Sequence, residues 1–404
     1  MAPIRLAIAG LSSTAVTSWA AEAHLPYLLS EKGHAYYEIV ALLNSSVTAA
    51  RAAKAHFGLP SSVKTYGDVS ELFDDTSVDL VVINTRVDKH AVLARVALEA
   101  GKPIYVEWPI AENASMSRTL LDPGADTKYK AALEKSVVGL QGQVVPIMTK
   151  LKSLLDCGRV GKALSSEARI FGNIWRRDAL SEGLAYFADR RIGGNGLTIT
   201  YAHVVDYIMD VLGDFDPDHM KSTSSIQRPA LAILGGDEKP VRSMQSDVPD
   251  FLAVHGPMVD TRERGRISPG APLAVTLRNG PPFKGQPAFV WTINAEKGEV
   301  QIISESGPYI FSGMSYDVRP RILVHDHTTD EVAEVGWEWE DWQTTIGLKA
   351  RATGEVYERY AKWWACGQPT GELPEQEAFP RLLDGQKRMQ HLEAILQQFD
   401  ARQV

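Results

Sequence analysis

Between Ile4 and Pro109 short apolar runs alternate with helix-patterned stretches, and few architectures accept that text. Ile4-Arg-Leu-Ala-Ile-Ala9 reads as a strand stopped by Gly10, followed by a helical stretch with Trp19, Ala20, His24 and Leu28. Glu38 to Leu43 reads as the next strand and Val47 to Phe57 as the next helix, with Gly58 closing it. Val78 to Ile83 is an apolar run of the kind that buried parallel strands use. Lys89 to Ala100 is an alanine-rich helix ended by Gly101, and Pro103 to Glu107 a further strand closed by Trp108 and Pro109. Repeated strand–helix units predict a parallel sheet with crossover helices, an α/β fold of the Rossmann dinucleotide-binding type.

Lys128 to Lys135 extends the pattern as a helix, and Val137 to Leu140 supplies the last strand of that sheet. From Pro146 the texture changes. A helix to Asp156 is followed by a strand over Ala163–Phe171. The glycine-rich Gly193-Gly-Asn-Gly196 leads into a long helix through His203, Asp206 and Met209. Residues 214–290 are rich in proline, with 10 of the 22, and hold several short strands, and Phe289 to Ile303 reads as a hairpin turning at Glu296-Lys-Gly298. Two helices, Thr345–Trp364 and Pro380–Phe399, end the chain. The second half therefore reads as an α/β domain with an open, mostly antiparallel sheet. At about 150 residues per domain, 404 residues make two domains. The boundaries expected are 1–145 for the dinucleotide-binding domain and 146–404 for the substrate and oligomerisation domain.

Composition narrows the functional classes. Hydrophobic residues at 44% and charged residues at 23% exclude a disordered or low-complexity chain. Forty-two Lys and Arg against 50 Asp and Glu give a net charge of −8, which argues against direct nucleic-acid or anionic-membrane partners. Cys157 and Cys366 are the only cysteines and have no CxxC or Cys/His spacing, so neither a disulfide framework nor a metal site is expected. No run approaches the roughly 18 apolar residues of a membrane span. No basic and apolar leader precedes the first strand, which makes a cytoplasmic location the expectation.

A strand that ends at glycine and enters a helix offers backbone N–H groups to a pyrophosphate. In Gly10-Leu-Ser-Ser-Thr14 only the first glycine of GxGxxG is present, and Ser12, Ser13 and Thr14 replace the others. The second strand ends Leu43-Asn-Ser-Ser46 rather than in the acid that binds both ribose hydroxyls of NAD. An acid would repel a 2′-phosphate. Asn44, Ser45 and Ser46, with Arg51 beyond them, therefore tilt the expectation to NADP, with NAD still open through Asn44 and a ribose hydroxyl.

Ile83-Asn-Thr-Arg-Val-Asp-Lys-His90, Ala100-Gly-Lys-Pro-Ile-Tyr-Val-Glu-Trp-Pro109 and Gly193-Gly-Asn-Gly-Leu-Thr-Ile-Thr-Tyr-Ala-His203 follow one another at telling distances. They resemble the three marker segments of the Gfo/Idh/MocA oxidoreductases. Val138-Gly-Leu-Gln-Gly-Gln143 and Gly158-Arg-Val-Gly161 also match that family, while the Gly10-Leu-Ser-Ser13 turn followed by Ser18-Trp19, Val106-Glu-Trp108, Gly139-Leu-Gln-Gly142 and Val248-Pro-Asp-Phe-Leu252 resemble its fungal branch related to the galactose-regulon repressor. The resemblance implies a Rossmann domain, then an α/β domain whose open sheet lines the active site and often forms the interface of a homodimer or larger homo-oligomer. It implies a nicotinamide cofactor flanked by Thr85, Arg86 and His90, with Glu107 near its ribose and nicotinamide side.

The departures from the family pattern bear on chemistry. Where most members carry a lysine that assists proton transfer this chain has Trp108, and where they carry an aspartate four residues before the histidine it has Ile199. Only His203 of that trio remains, and Tyr201 stands where a glycine is usual. Trp108 either caps the sheet or stacks beside the nicotinamide, and Tyr201 either donates a proton or packs. His203 and Tyr201 are the candidate acids, His203 titrating near pH 6–7 as histidines do. Asp206 either orients His203 or is a surface charge. Trp108 and Ile199 would make the substrate pocket apolar. Arg176, which with Arg177 follows Trp175, either meets an anionic or carbonyl group there or is a solvated surface residue. The expectation is an NAD(P)-dependent oxidoreductase of a small carbonyl, imine or enone, in fungal secondary or sugar metabolism. The alternative is a catalytically silent cofactor sensor like the galactose repressor.

Overall fold

The computed structural model describes residues 2–15, 17–172, 176–312 and 318–402. They form two compact units, Met1–Gln141 with Arg191–Gly194 and Glu340–Met389, and Gly142–Arg190 with Asn195–Trp339 and Gln390–Val404.

The first unit is built on a six-stranded parallel sheet. Its strands are β1 (Ile4–Ala9), β2 (Tyr37–Leu43), β3 (Lys64–Tyr66), β4 (Leu80–Ile83), β5 (Ile104–Glu107) and β6 (Val137–Gly139), in the order β3-β2-β1-β4-β5-β6. The order reverses at β1, where doubly wound sheets open a crevice beyond their carboxyl ends. β4 and β5 are buried along their whole length, which is why their sequences are apolar runs rather than alternations. The helices follow local signals. Ser46 accepts from the Ala49 N–H at the start of Val47–His56, and Gly101 takes a positive φ of 71° after His90–Glu99. The edge strand β3 and the helix Val69–Phe73 lie outside the pattern read above, because Lys64-Thr-Tyr66 carries no apolar run.

The single boundary at residue 145 is not how the chain divides. The helix Leu348–Ala365 belongs to the first unit. Tyr37 donates to the Tyr357 carbonyl at 2.7 Å, Tyr27 to Glu358 at 2.6 Å, and Tyr360 to the Lys135 carbonyl at 3.0 Å. Burying those aromatic rings completes the parallel sheet's core, a distant pairing that a chain-order reading misses.

The second unit carries a nine-stranded sheet of β7 (Ala163–Gly172), β9 (Asp214–Phe215), β10 (Lys221–Ser225), β13 (Phe251–Val259), β14 (Pro272–Asn279), β15 (Phe289–Ala295), β16 (Gly298–Ser304), β17 (Arg321–Asp326) and β18 (Glu331–Val335). The order is β10-β13-β14-β7-β15-β16-β17-β18, with β9 beside β13. Only the β14–β7 pair is parallel among these described strands. Burial alternates strictly along β15 and β16, so one face is covered. Tyr207, from the wholly buried helix Ala202–Leu212, meets Phe289 and Trp291 on that face with ring centroids 6.1 and 6.3 Å away. A small sheet of β8 (Ala179–Ser181), β11 (Ala230–Leu234) and β12 (Pro240–Gln245) stands apart, with β11 in the middle. Among the described residues no helix is long and apolar enough to cross a membrane.

Candidate functional site

In the first unit the turn after β1 is glycine-tight. Gly10 has a φ of 95°, and a Cβ there would lie 2.5 Å from the Asn84 carbonyl oxygen and 3.0 Å from Thr85 Cγ2. No side chain fits between the ends of β1 and β4. Ser12 and Thr14 fold the turn on itself, the Thr14 N–H donating to Ser12 Oγ at 3.2 Å, while Ser13 is exposed. Asn44 donates through Nδ2 to the Leu11 carbonyl at 2.8 Å, which fixes its amide and leaves Oδ1 buried with no hydrogen-bond partner. Asn84 Nδ2 is buried and unpartnered in the same way. A buried donor and a buried acceptor left open beside a glycine cradle are what a polar ligand would satisfy. Ser45 is exposed, and Ser46 caps its helix.

Other residues expected around the cofactor have structural partners. Arg86 turns along the surface to Asp88 at 2.6 and 2.7 Å. His90 is buried between two carbonyls, Pro109 O at 2.7 Å from Nδ1 and Thr85 O at 2.9 Å from Nε2. Its role is to tie the end of β4 to the loop after β5, and burial holds its pKa below the usual histidine value. Glu107 Oε1 sits 2.9 Å from His24 Nε2, and His24 Nδ1 lies 2.8 Å from the Tyr357 hydroxyl. Thr85 is half-buried and Trp108 is buried. His24, Asn84 and Tyr357 were not anticipated. Asn84 follows β4 directly, at the carboxyl end where such sheets gather ligand groups, and that position was a legible signal.

In the second unit Asn195 starts the His203 helix. Its side chain accepts from the Leu197 and Thr198 N–H groups at 3.0 Å each, while Thr198 Oγ1 accepts from the Asn195 N–H. The first turn, Gly196–Tyr201, is a π-helix, so the four-residue step from half-buried Ile199 to His203 is not the α-helical spacing that aligns such a pair. His203 is buried beside Phe311, with ring centroids 4.8 Å apart, and has no hydrogen-bond partner among the described residues. Burial pushes its pKa down to about 3, so the imidazole is neutral at ordinary pH instead of titrating near pH 6–7.

Tyr201 is a core residue. Its hydroxyl lies 2.7 Å from His391 Nε2 and its ring stacks on that imidazole, which removes it from proton donation to a ligand. Asp206 is buried and accepts from Gln143 Nε2 at 3.1 Å, so it is neither a surface charge nor the residue that orients His203. Arg176 is exposed and ion-paired with Glu238; Trp175 lies outside the described residues.

The fold and the glycine-tight turn define a two-unit protein of the dinucleotide-binding α/β class. Residues 4–130 match the oxidoreductase family with an NAD-binding Rossmann fold, and residues 146–304 match the Gal80p C-terminal domain. The first of these segments is thus similar to the Gfo/Idh/MocA oxidoreductases and the second to the C-terminal domain of Gal80p. It is 29% identical to dehydrogenase aclE of Aspergillus oryzae over 346 residues, 85% of this chain and 86% of that one. Levoglucosan dehydrogenase of Pseudarthrobacter phenanthrenivorans is 27% identical over 215 residues, 50% of this chain and 51% of that one. Among solved structures, a super-repressor mutant of Gal80p from Saccharomyces cerevisiae superposes with a TM-score of 0.80 at 18% identity, covering 98% of this chain and 96% of that one. A levoglucosan dehydrogenase complex with NADH and levoglucosan superposes with a TM-score of 0.68 at 19% identity, covering 98% and 96%.

Proposed function

We propose that this protein is an NADP(H)-dependent oxidoreductase of a small carbonyl, imine or enone compound. The observation that carries the reading is the Gly10 cradle with the open polar atoms Asn44 Oδ1 and Asn84 Nδ2. Those groups suit a nicotinamide dinucleotide, and Asn44 Oδ1 would accept from a ribose hydroxyl, which NAD and NADP both carry. The acid-free corner at Ser45 and Ser46 tolerates a 2′-phosphate, which sets the preference for NADP. When bound, the nicotinamide supplies or accepts hydride. His203, neutral and with no hydrogen-bond partner among the described residues, would hold an N–H on the substrate oxygen or nitrogen and stabilise the charge that grows there.

A second reading is a catalytically silent dinucleotide sensor. It is favoured by Trp108 and Ile199 at the positions of the family's lysine and aspartate, and by the enclosure of the Tyr201 hydroxyl. The likeness to dehydrogenase aclE over most of the chain supports the enzyme.

Isothermal titration tests the cofactor. Wild type is expected to bind NADP(H) in the low-micromolar range, about −8 kcal/mol, and Gly10→Val to bind neither dinucleotide. Tighter binding of NAD by tenfold or more reverses the preference, and no binding of either removes the proposal.

A further inference from the structure

The second unit holds a recess whose lining gathers arginines beside apolar side chains. Arg177 and Arg228 line it together with Leu180, Phe187, Leu231 and Val248. Arg278 stands close behind, its guanidinium 4.4 Å from the centre of the Phe171 ring. Burial first, and then the charges of Arg177 and Arg228, hold the Arg278 pKa below the usual arginine value.

None of the three has a carboxylate partner within ion-pair distance among the described residues. Asp250 also lines the recess, its two oxygens accepting from the backbone N–H groups of Gln227 and Arg228 at 2.6 and 3.0 Å, and it is one carboxylate against the guanidinia of Arg177 and Arg228. Arg176 differs from its neighbours, since Glu238 neutralises it at the surface. Arg177 is held in place. It donates to the Pro281 carbonyl at 3.0 Å, and its stem lies so close over Gly280 that a Cβ there would meet Arg177 Cγ at 2.3 Å. Gathering like charges costs free energy that a shared anion offsets, and a carboxylate suits a guanidinium fork bidentately. The aliphatic and aromatic walls then select what the anion is attached to.

We propose that this recess binds a small organic carboxylate with an apolar or aromatic body, its charge held by Arg228 and Arg177 and its body against Leu231, Phe187 and Val248. The site belongs to the second unit by itself and stands whether or not the chain transfers hydride. Isothermal titration of the full chain with benzoate, benzamide and inorganic phosphate tests it, with no dinucleotide present. Benzoate is expected to bind saturably, and benzamide, the neutral isostere, about tenfold more weakly or worse, a difference of about 1.4 kcal/mol. Arg228→Gln and Arg177→Gln should each weaken benzoate by about tenfold while leaving the melting temperature unchanged. Absence of benzoate binding, equal binding of benzamide, displacement of benzoate by phosphate, or full affinity in both variants would each overturn the proposal.

Discussion

Two aromatic residues at the head of one helix look alike in the sequence and part ways in the structure. Tyr201 is bonded to His391 in the core, so Tyr201→Phe should cost about 0.5–1.5 kcal/mol by removing a buried hydrogen bond. Turnover per folded molecule should not change, and a thermal melt beside a kcat measurement separates the two effects. His203 is buried without such a partner, and its pKa of about 3 lies below the ordinary unfolded value near 6.5. Between those values the unfolded chain binds a proton that the folded chain refuses. The stability linked to His203 is therefore fully present above about pH 6.5 and lost as pH falls toward 3, at up to about 1.4 kcal/mol per pH unit. His203→Gln should flatten that part of the acid-stability curve in denaturant titrations. An unchanged slope would show that the imidazole is not neutral and enclosed. The same depression means that His203 adds no inflection to kcat near pH 6–7.

The helix Ala202–Leu212 illustrates what one element needs in order to be buried on every side. Burial alone would raise the Asp210 carboxyl, but Lys152, Arg262 and Arg264 bring it down to about 2. Lys152 Nζ is 2.5 Å from Oδ2 and Arg262 Nη1 2.7 Å from Oδ1. Asp210→Ala would remove the buried carboxylate that Lys152, Arg262 and Arg264 face, and is expected to destabilise the fold by about 3–5 kcal/mol in denaturant melts. A loss below about 1 kcal/mol would mean that water already screens the cluster. At this scale much was legible in the sequence. β1, the helix Pro146–Asp156 and the Phe289 hairpin fall where residue patterns put them, because apolar runs, capping residues and glycines act locally. The partners of His90, Glu107, Tyr201 and Asp206 were not legible, since each lies on another element that only tertiary packing brings close.

For the whole molecule, the return of Glu340–Met389 to the first unit carries a direct consequence. A chain ended at Trp339 would expose Tyr27, Tyr37 and Tyr105, whose rings meet Tyr357, and should lose the cooperative melt of the parallel-sheet unit. Circular dichroism of that truncation with a native-like melting temperature would refute the packing described. The family match joins an NAD-binding domain to one like the Gal80p C-terminal domain, which is why an enzyme and a sensor are the competing readings. Turnover decides between them. The rate of NADPH consumption should be measured with a panel of small carbonyls, imines and enones, for wild type and His203→Ala. The account predicts turnover by wild type and a fall in kcat of about 10²–10³-fold in the variant, with dinucleotide affinity unchanged. Dinucleotide binding without turnover on any member of the panel, or equal kcat in the two proteins, would contradict it.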